Sequence, residues 1–102
     1  MYFSVAKQFS IFPGARYRKT SNWSAQELYE DHLEVMLKQS VKYSIKLHFD
    51  LDGTCGYGVS FLHQLAFLIK TNIPESIPFI RFISKEEPYL VEEFMGYIDS
   101  IY

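Results

Sequence analysis

The sequence predicts an α/β fold, a mostly parallel or mixed β-sheet packed with about three helices, and three observations predict it. Tyr43, Ile45, Leu47, Phe49 and Leu51 alternate with Ser44, Lys46, His48 and Asp50, the period of a strand with unlike faces. Gly53, Gly56 and Gly58 follow, and a dense apolar run then extends from Phe61 to Ile69. Strand-like and helix-like segments alternate along the whole chain: β, an optional second β, then α-β-α-β-α. That order favours parallel strands joined by right-handed helical crossovers.

Each element has its own signal. Tyr2 to Phe12 is β-prone, with Phe3, Val5, Phe9 and Ile11 at odd positions, and reads as one strand or a hairpin. Pro13-Gly14 ends it, and Ala15 to Trp23 is a polar loop rich in cations. Ser24-Ala25-Gln26-Glu27 fits a capping box, in which the Ser hydroxyl accepts a helix N–H and the Glu reaches back. It predicts a helix to about Gln39. Leu28, Tyr29, Leu33, Val35, Met36 and Leu37 give that helix a broad apolar face; Glu30, Asp31, Glu34 and Lys38 face water.

After the alternating strand and the glycines, a second helix is predicted from about Ser60 to Thr71. It is apolar almost all round, so it should be buried on more than one side. Pro74 and Pro78 mark a connection, and Phe79 to Ile83 reads as a short strand. Ser84 and Glu87 repeat the capping-box spacing, and Pro88 suits a first helical turn. Leu90, Val91, Phe94, Met95, Ile98 and Ile101 then fall at helical spacing.

A length of 102 residues suits a single domain, residues 1–102, and 48% apolar residues can fill one core. The 9 Phe and 8 Tyr exceed what a core of this size needs, and surplus tyrosine points to an adhesive surface. A net charge of −2 argues against nucleic acid as a partner, since non-specific binding requires many phosphate-neutralising cations. Lys7 and the group Arg16, Arg18 and Lys19 form the candidate local basic patches. The single cysteine, Cys55, excludes an internal disulfide and fits a reducing cytoplasm. No apolar run approaches the roughly 20 residues that span a bilayer. The first ten residues lack the basic-then-apolar order of a signal peptide. The expectation is a soluble cytoplasmic protein with no membrane partner.

Two blocks carry a family resemblance. One is Pro13-Gly14-Ala15-Arg16-Tyr17-Arg18 with Ser24-Ala25-Gln26-Glu27. The other is Asp50-Leu51-Asp52-Gly53-Thr54 with Gly56-Tyr57-Gly58-Val59-Ser60-Phe61-Leu62. Together they cover roughly residues 10 to 70, and the second block is the more specific. The strand–turn–helix unit resembles that of STAS domains, the fold of bacterial anti-sigma factor antagonists, and more closely the small STAS-like proteins of bacteria and phages. The resemblance implies a STAS-like fold and a protein partner of the histidine-kinase-like ATPase family. In the antagonists, a hydroxyl at the start of the helix is phosphorylated by such a partner. Aligned on Leu62, this chain places Val59 at the phosphorylated position, Ser60 next to it and Gly58 where the family has aspartate. The chain therefore departs from the antagonist pattern at the switch itself.

The residues themselves leave several roles open. Ser60 reads first as an N-cap and second as a phosphorylation site. The glycines suit a tight turn or a nest of N–H groups around an anion; they match neither a Walker loop nor a dinucleotide fingerprint. Asp50 and Asp52 are spaced for Mg²⁺ but lack a third ligand, so turn formation is the simpler role. His32, His48, His63 and Cys55 show no zinc spacing, and Cys55 has no base beside it in sequence. Arg16 beside Tyr17 can bind a carboxylate or phosphate, or lock its loop onto Asp50 or Asp52.

No catalytic residue, metal or cofactor is expected. The leading function is a non-enzymatic regulatory module. Its partner-binding or switch turn comprises Asp52, Gly53, Thr54, Gly56, Tyr57, Gly58 and Ser60, flanked by Arg16 and Tyr17. The alternatives are a sensor of phosphate or nucleotides, and a phage or mobile-element inhibitor of a host protein. Homo-oligomers through an edge strand are compatible with all three.

Overall fold

Three short strands, β1 (Tyr2–Ser4), β2 (Leu47–Asp50) and β3 (Ile80–Ile83), form a sheet in the order β1-β2-β3. Both pairings are parallel, and the register aligns Phe3 with Phe49 and Phe49 with Phe82. The computed structural model describes residues 1–100, so Ile101 lies outside the described residues. Neighbouring rings of the phenylalanine row are 5.9 and 6.0 Å apart, and Phe94 extends the row into the helical layer at 4.6 Å from Phe82. On the opposite face, the register aligns Tyr2, His48 and Arg81, all exposed.

The helices are α1 (Val5–Gln8), α2 (Ala25–Leu28), α3 (Glu34–Tyr43), α4 (Val59–Asn72) and α5 (Tyr89–Ser100). A π-helical turn, Tyr29–Leu33, fuses α2 and α3 into one rod. Three long helical rods therefore cover the sheet, as the sequence predicts. The rod and α5 both pack on α4, and α3 touches β2. As its composition predicts, α4 is buried widely, at Phe61, Leu62, Leu65, Ala66 and Ile69. The proline-marked connection is a 3-10 helix, Pro74–Phe79.

Ser24 caps α2 by accepting the Glu27 N–H at 3.1 Å. The Glu27 carboxylate reaches one residue further back than a capping box requires, accepting from the Trp23 N–H at 3.2 Å. The wide π turn rotates the following face of the rod by about a quarter turn. Leu33, Leu37 and Ser40 thereby align with Leu28 and Tyr29 inside, and Val35 is left 56% exposed against expectation. The same turn buries the Tyr29 hydroxyl without a hydrogen-bond partner among the described residues. Burial pushes its pKa up to about 12.

Two boundaries differ from the sequence reading. The rod continues to Tyr43, and Ser44 ends it in the left-handed conformation at φ 53. Tyr43 and Ile45 are thus exposed helix-end and connector residues whose spacing mimics a strand; β2 begins only at Leu47. The N-terminal segment is neither one long strand nor a hairpin. Ser4 ends β1 and caps α1, its hydroxyl accepting the Lys7 N–H at 3.2 Å. Its own N–H donates to Gln8 Oε1 at 2.8 Å. Phe3, Val5 and Phe9 are buried, whereas Ile11 is exposed.

Candidate functional site

Parallel strands place their carboxyl ends on one rim, and three connections meet there: α1, the glycine turn and the loop before α5. In open α/β sheets this rim is where ligands and partners usually bind.

The first part of the turn is fastened. Asp50 Oδ1 accepts the Asp52 N–H at 3.0 Å, and Oδ2 accepts from the Tyr2 hydroxyl. Asp52 accepts from the N–H groups of Lys85 and Glu86, at 2.9 and 3.0 Å, and from the Ser84 hydroxyl at 3.2 Å. Glu86 Oε1 in return accepts the Gly53 N–H at 2.9 Å. Desolvation raises the Asp52 pKa, but the two amide donors, the Ser84 hydroxyl and the Lys85 charge together hold it below the ordinary carboxylate value. Two carboxylates that read as candidate metal ligands are therefore engaged by protein donors. Among the described residues no three His, Cys, Asp or Glu side chains lie together as a metal site requires.

Tyr57 belongs to this fastened set. Its hydroxyl donates to the Leu51 carbonyl at 2.8 Å, its ring packs on Phe61, and burial pushes its pKa up. Leu51, Asp52, Thr54, Tyr57, Ser84 and Leu90 help to line a cavity of about 10 Å³, the scale of a single water. Gly53 sits at φ +92, and a Cβ there would approach the Ala6 Cβ to 3.0 Å.

The second part is open. Thr54 accepts the Gly56 N–H at 3.3 Å, Gly56 has φ +125, and the Cys55 N–H donates to the Ile11 carbonyl at 2.7 Å. That last bond sets the Ile11-Phe12 segment beside the turn. The Cys55 thiol is free and exposed. Gly58, at φ −71 and ψ 148, is the N-cap of α4, and no side chain caps the helix. Its carbonyl accepts the N–H groups of Phe61 and Leu62. Ser60 is therefore not the N-cap that the sequence suggests. It lies in the first helical turn and is exposed. Beside it Val59 is 63% exposed, and Phe12, next to the Ile11 that bonds Cys55, is 62% exposed.

The Arg16 loop is built on Gly14, where a Cβ would lie 2.4 Å from the Asn22 carbonyl oxygen, so only glycine fits. The carbonyls of Ala15 and Arg16 accept the first helix N–H groups, those of Ala25 and Gln26. Arg16 reaches neither Asp50 nor Asp52; its Nη1 donates to His63 Nδ1 at 3.3 Å. His63 lies one turn beyond Ser60 in α4, and its ring meets Tyr97 edge-on. Arg16 has no carboxylate in ion-pair range among the described residues, whereas Arg18 binds Glu30 and Asp31. Tyr17 is exposed.

Of the sequence-predicted residues, Asp52, Gly53 and Tyr57 thus shape the turn, while Gly56, Gly58 and Ser60 face outward with the Arg16 loop nearby. Sequence reasoning missed Ile11, Phe12 and Val59. Ile11 and Phe12 read as the end of a β-prone segment, and Val59 as the residue aligned with the antagonists' phosphorylated position; neither context marks an exposed apolar side chain. Among the described residues no helix is long and apolar enough to cross a membrane. Comparison with protein-family models, curated proteins and solved structures found no match for this chain.

Proposed function

We propose that this protein is a non-enzymatic regulatory module that docks onto a protein partner through the open half of the glycine turn and the first turn of α4. The observation that carries the reading is the exposed second half of the turn, where Val59 and Ser60 open α4 and the Cys55–Ile11 bond brings the exposed Ile11-Phe12 segment alongside Cys55. Apolar patches on small proteins commonly mark interaction sites. Gly56, Gly58 and Ser60 allow close approach, and Arg16 adds a cation one turn along α4. The resemblance of this block to STAS-like proteins makes a histidine-kinase-like ATPase, in the cytoplasm, the first partner to test. Docking regulates that partner only if its two states bind the turn unequally. Ser60 remains a candidate phosphorylation site in this reading, because phosphate there meets the positive end of α4 and adds charge to the docking surface.

Binding of candidate ATPases to the wild type and to a Phe12→Asp, Val59→Asp variant tests the reading. Loss of binding with an unchanged melting temperature supports it; equal binding refutes it.

The absence of a side-chain cap on α4 favours a second reading, an anion sensor. It expects phosphate or nucleotides to raise the melting temperature by mass action. No shift across a phosphate and nucleotide panel removes it.

A further inference from the structure

We propose that the uncovered face of the sheet is a platform for single-stranded nucleic acid. Parallel sheets are normally covered on both faces. Here the phenylalanine row faces the helices, while Tyr2, His48 and Arg81 form an exposed row across β1, β2 and β3. All three end in flat π systems, the side-chain types on which unpaired bases stack. Neighbouring strands are about 4.8 Å apart, so the row spans roughly 10 Å, enough for two or three nucleotides.

Two of the three groups are held in place. The Tyr2 hydroxyl donates to Asp50, and the His48 ring nitrogen Nδ1 lies 3.3 Å from the Met1 carbonyl oxygen. Little ordering is then needed on binding. Charge complements the stack. Arg81 and Lys46, the latter two residues before His48, are exposed and have no carboxylate in ion-pair range among the described residues. The carboxylate on this face, Asp50, is engaged by Tyr2 and by the Asp52 amide. An acidic protein segment would use the two cations and leave the rings idle; a base ladder uses both. The net charge of −2 describes the whole chain, whereas the row itself carries Arg81, with Lys46 just before β2. It also limits affinity to the weak, salt-sensitive range of about 10–100 µM.

Fluorescence anisotropy with labelled oligothymidylate and oligouridylate at low and moderate salt tests this. Binding is expected to weaken as salt rises. Tyr2→Ala should lower affinity roughly five- to a hundredfold, whereas Tyr2→Phe, which keeps the ring, retains most of it. Arg81→Ala should reduce the salt slope by about 0.7. Phe12→Asp, on the rim, should leave oligonucleotide binding unchanged, which separates this face from the docking turn. The absence of binding at low salt overturns the proposal. So does equal binding of duplex, or displacement by polyglutamate with Tyr2→Ala silent, which would assign the face to acidic protein surfaces.

Discussion

Residues Leu51 to Gly53 and residues Gly56 to Ser60 lie in one turn, yet they are held by different means. In the first group, backbone and side chains bond across to residues 83–86: the Leu51 N–H to the Ile83 carbonyl, Asp52 to Ser84, Lys85 and Glu86, and Gly53 to Glu86. In the second group the chain is tied mainly to itself, and every residue but Tyr57 is exposed. A fastened half beside an open half is what a docking surface needs. The first fixes the position of the second at low entropic cost, and the second is left free to meet a partner. Tyr57 bridges the two, so it acts as a strut and is a poor probe of binding.

The comparison can be broken most strongly at Asp52. Asp52→Ala removes three hydrogen bonds to a carboxylate, two of them at exposed amides that water can reach, and is expected to cost about 1.5–2 kcal/mol in urea unfolding at pH 7. A loss within about 0.5 kcal/mol would show that the clamp is idle. Asp52 also sets a pH dependence. Its folded pKa is depressed, so its contribution is fully present above the unfolded carboxylate value of about 4 and is lost as pH falls through the lower folded value. Asp52→Asn should flatten the stability profile in that acidic window, read from unfolding curves at pH 7 and pH 3. Next in size is Gly53→Ala. The positive φ and the nearby Ala6 predict a loss of about 1–2 kcal/mol, measured by thermal or chemical unfolding. Tyr57→Phe keeps the ring and removes the bond to Leu51, for about 1 kcal/mol. The smallest effect belongs to the open half: Val59→Asp and Ser60→Glu should each change stability by no more than about 0.5 kcal/mol, since acidic groups suit the first turn of a helix.

Much of the fold is legible in the sequence because its signals are local. Ser24 with Glu27, the alternation of Leu47, Phe49 and Leu51, and the apolar run of α4 each specify their own segment. What escapes is non-local or phase-dependent. The Asp52 clamp joins residues more than thirty positions apart, and no period or spacing encodes it. The π turn shifts the buried face of the rod, so Val35 is misassigned by an ordinary helical period. Ser60 has the chemistry of a cap, but the extended backbone at Gly58 starts the helix two residues earlier. Arg16 is legible as a loop arginine suited to a polar partner, while the partner it meets, His63, depends on how the loop lies against α4. The glycines are legible as a turn; which half is fastened becomes apparent only once β3 and α5 are in place.

The most direct measurement is quantitative affinity capture from the source cell with the wild type and the Val59→Asp, Ser60→Glu variant side by side, after the melting temperatures are shown to match. A protein partner of the histidine-kinase-like ATPase family is expected, retained by the wild type and lost by the variant. The same partner held equally by both, or no partner held by the folded wild type, would contradict it.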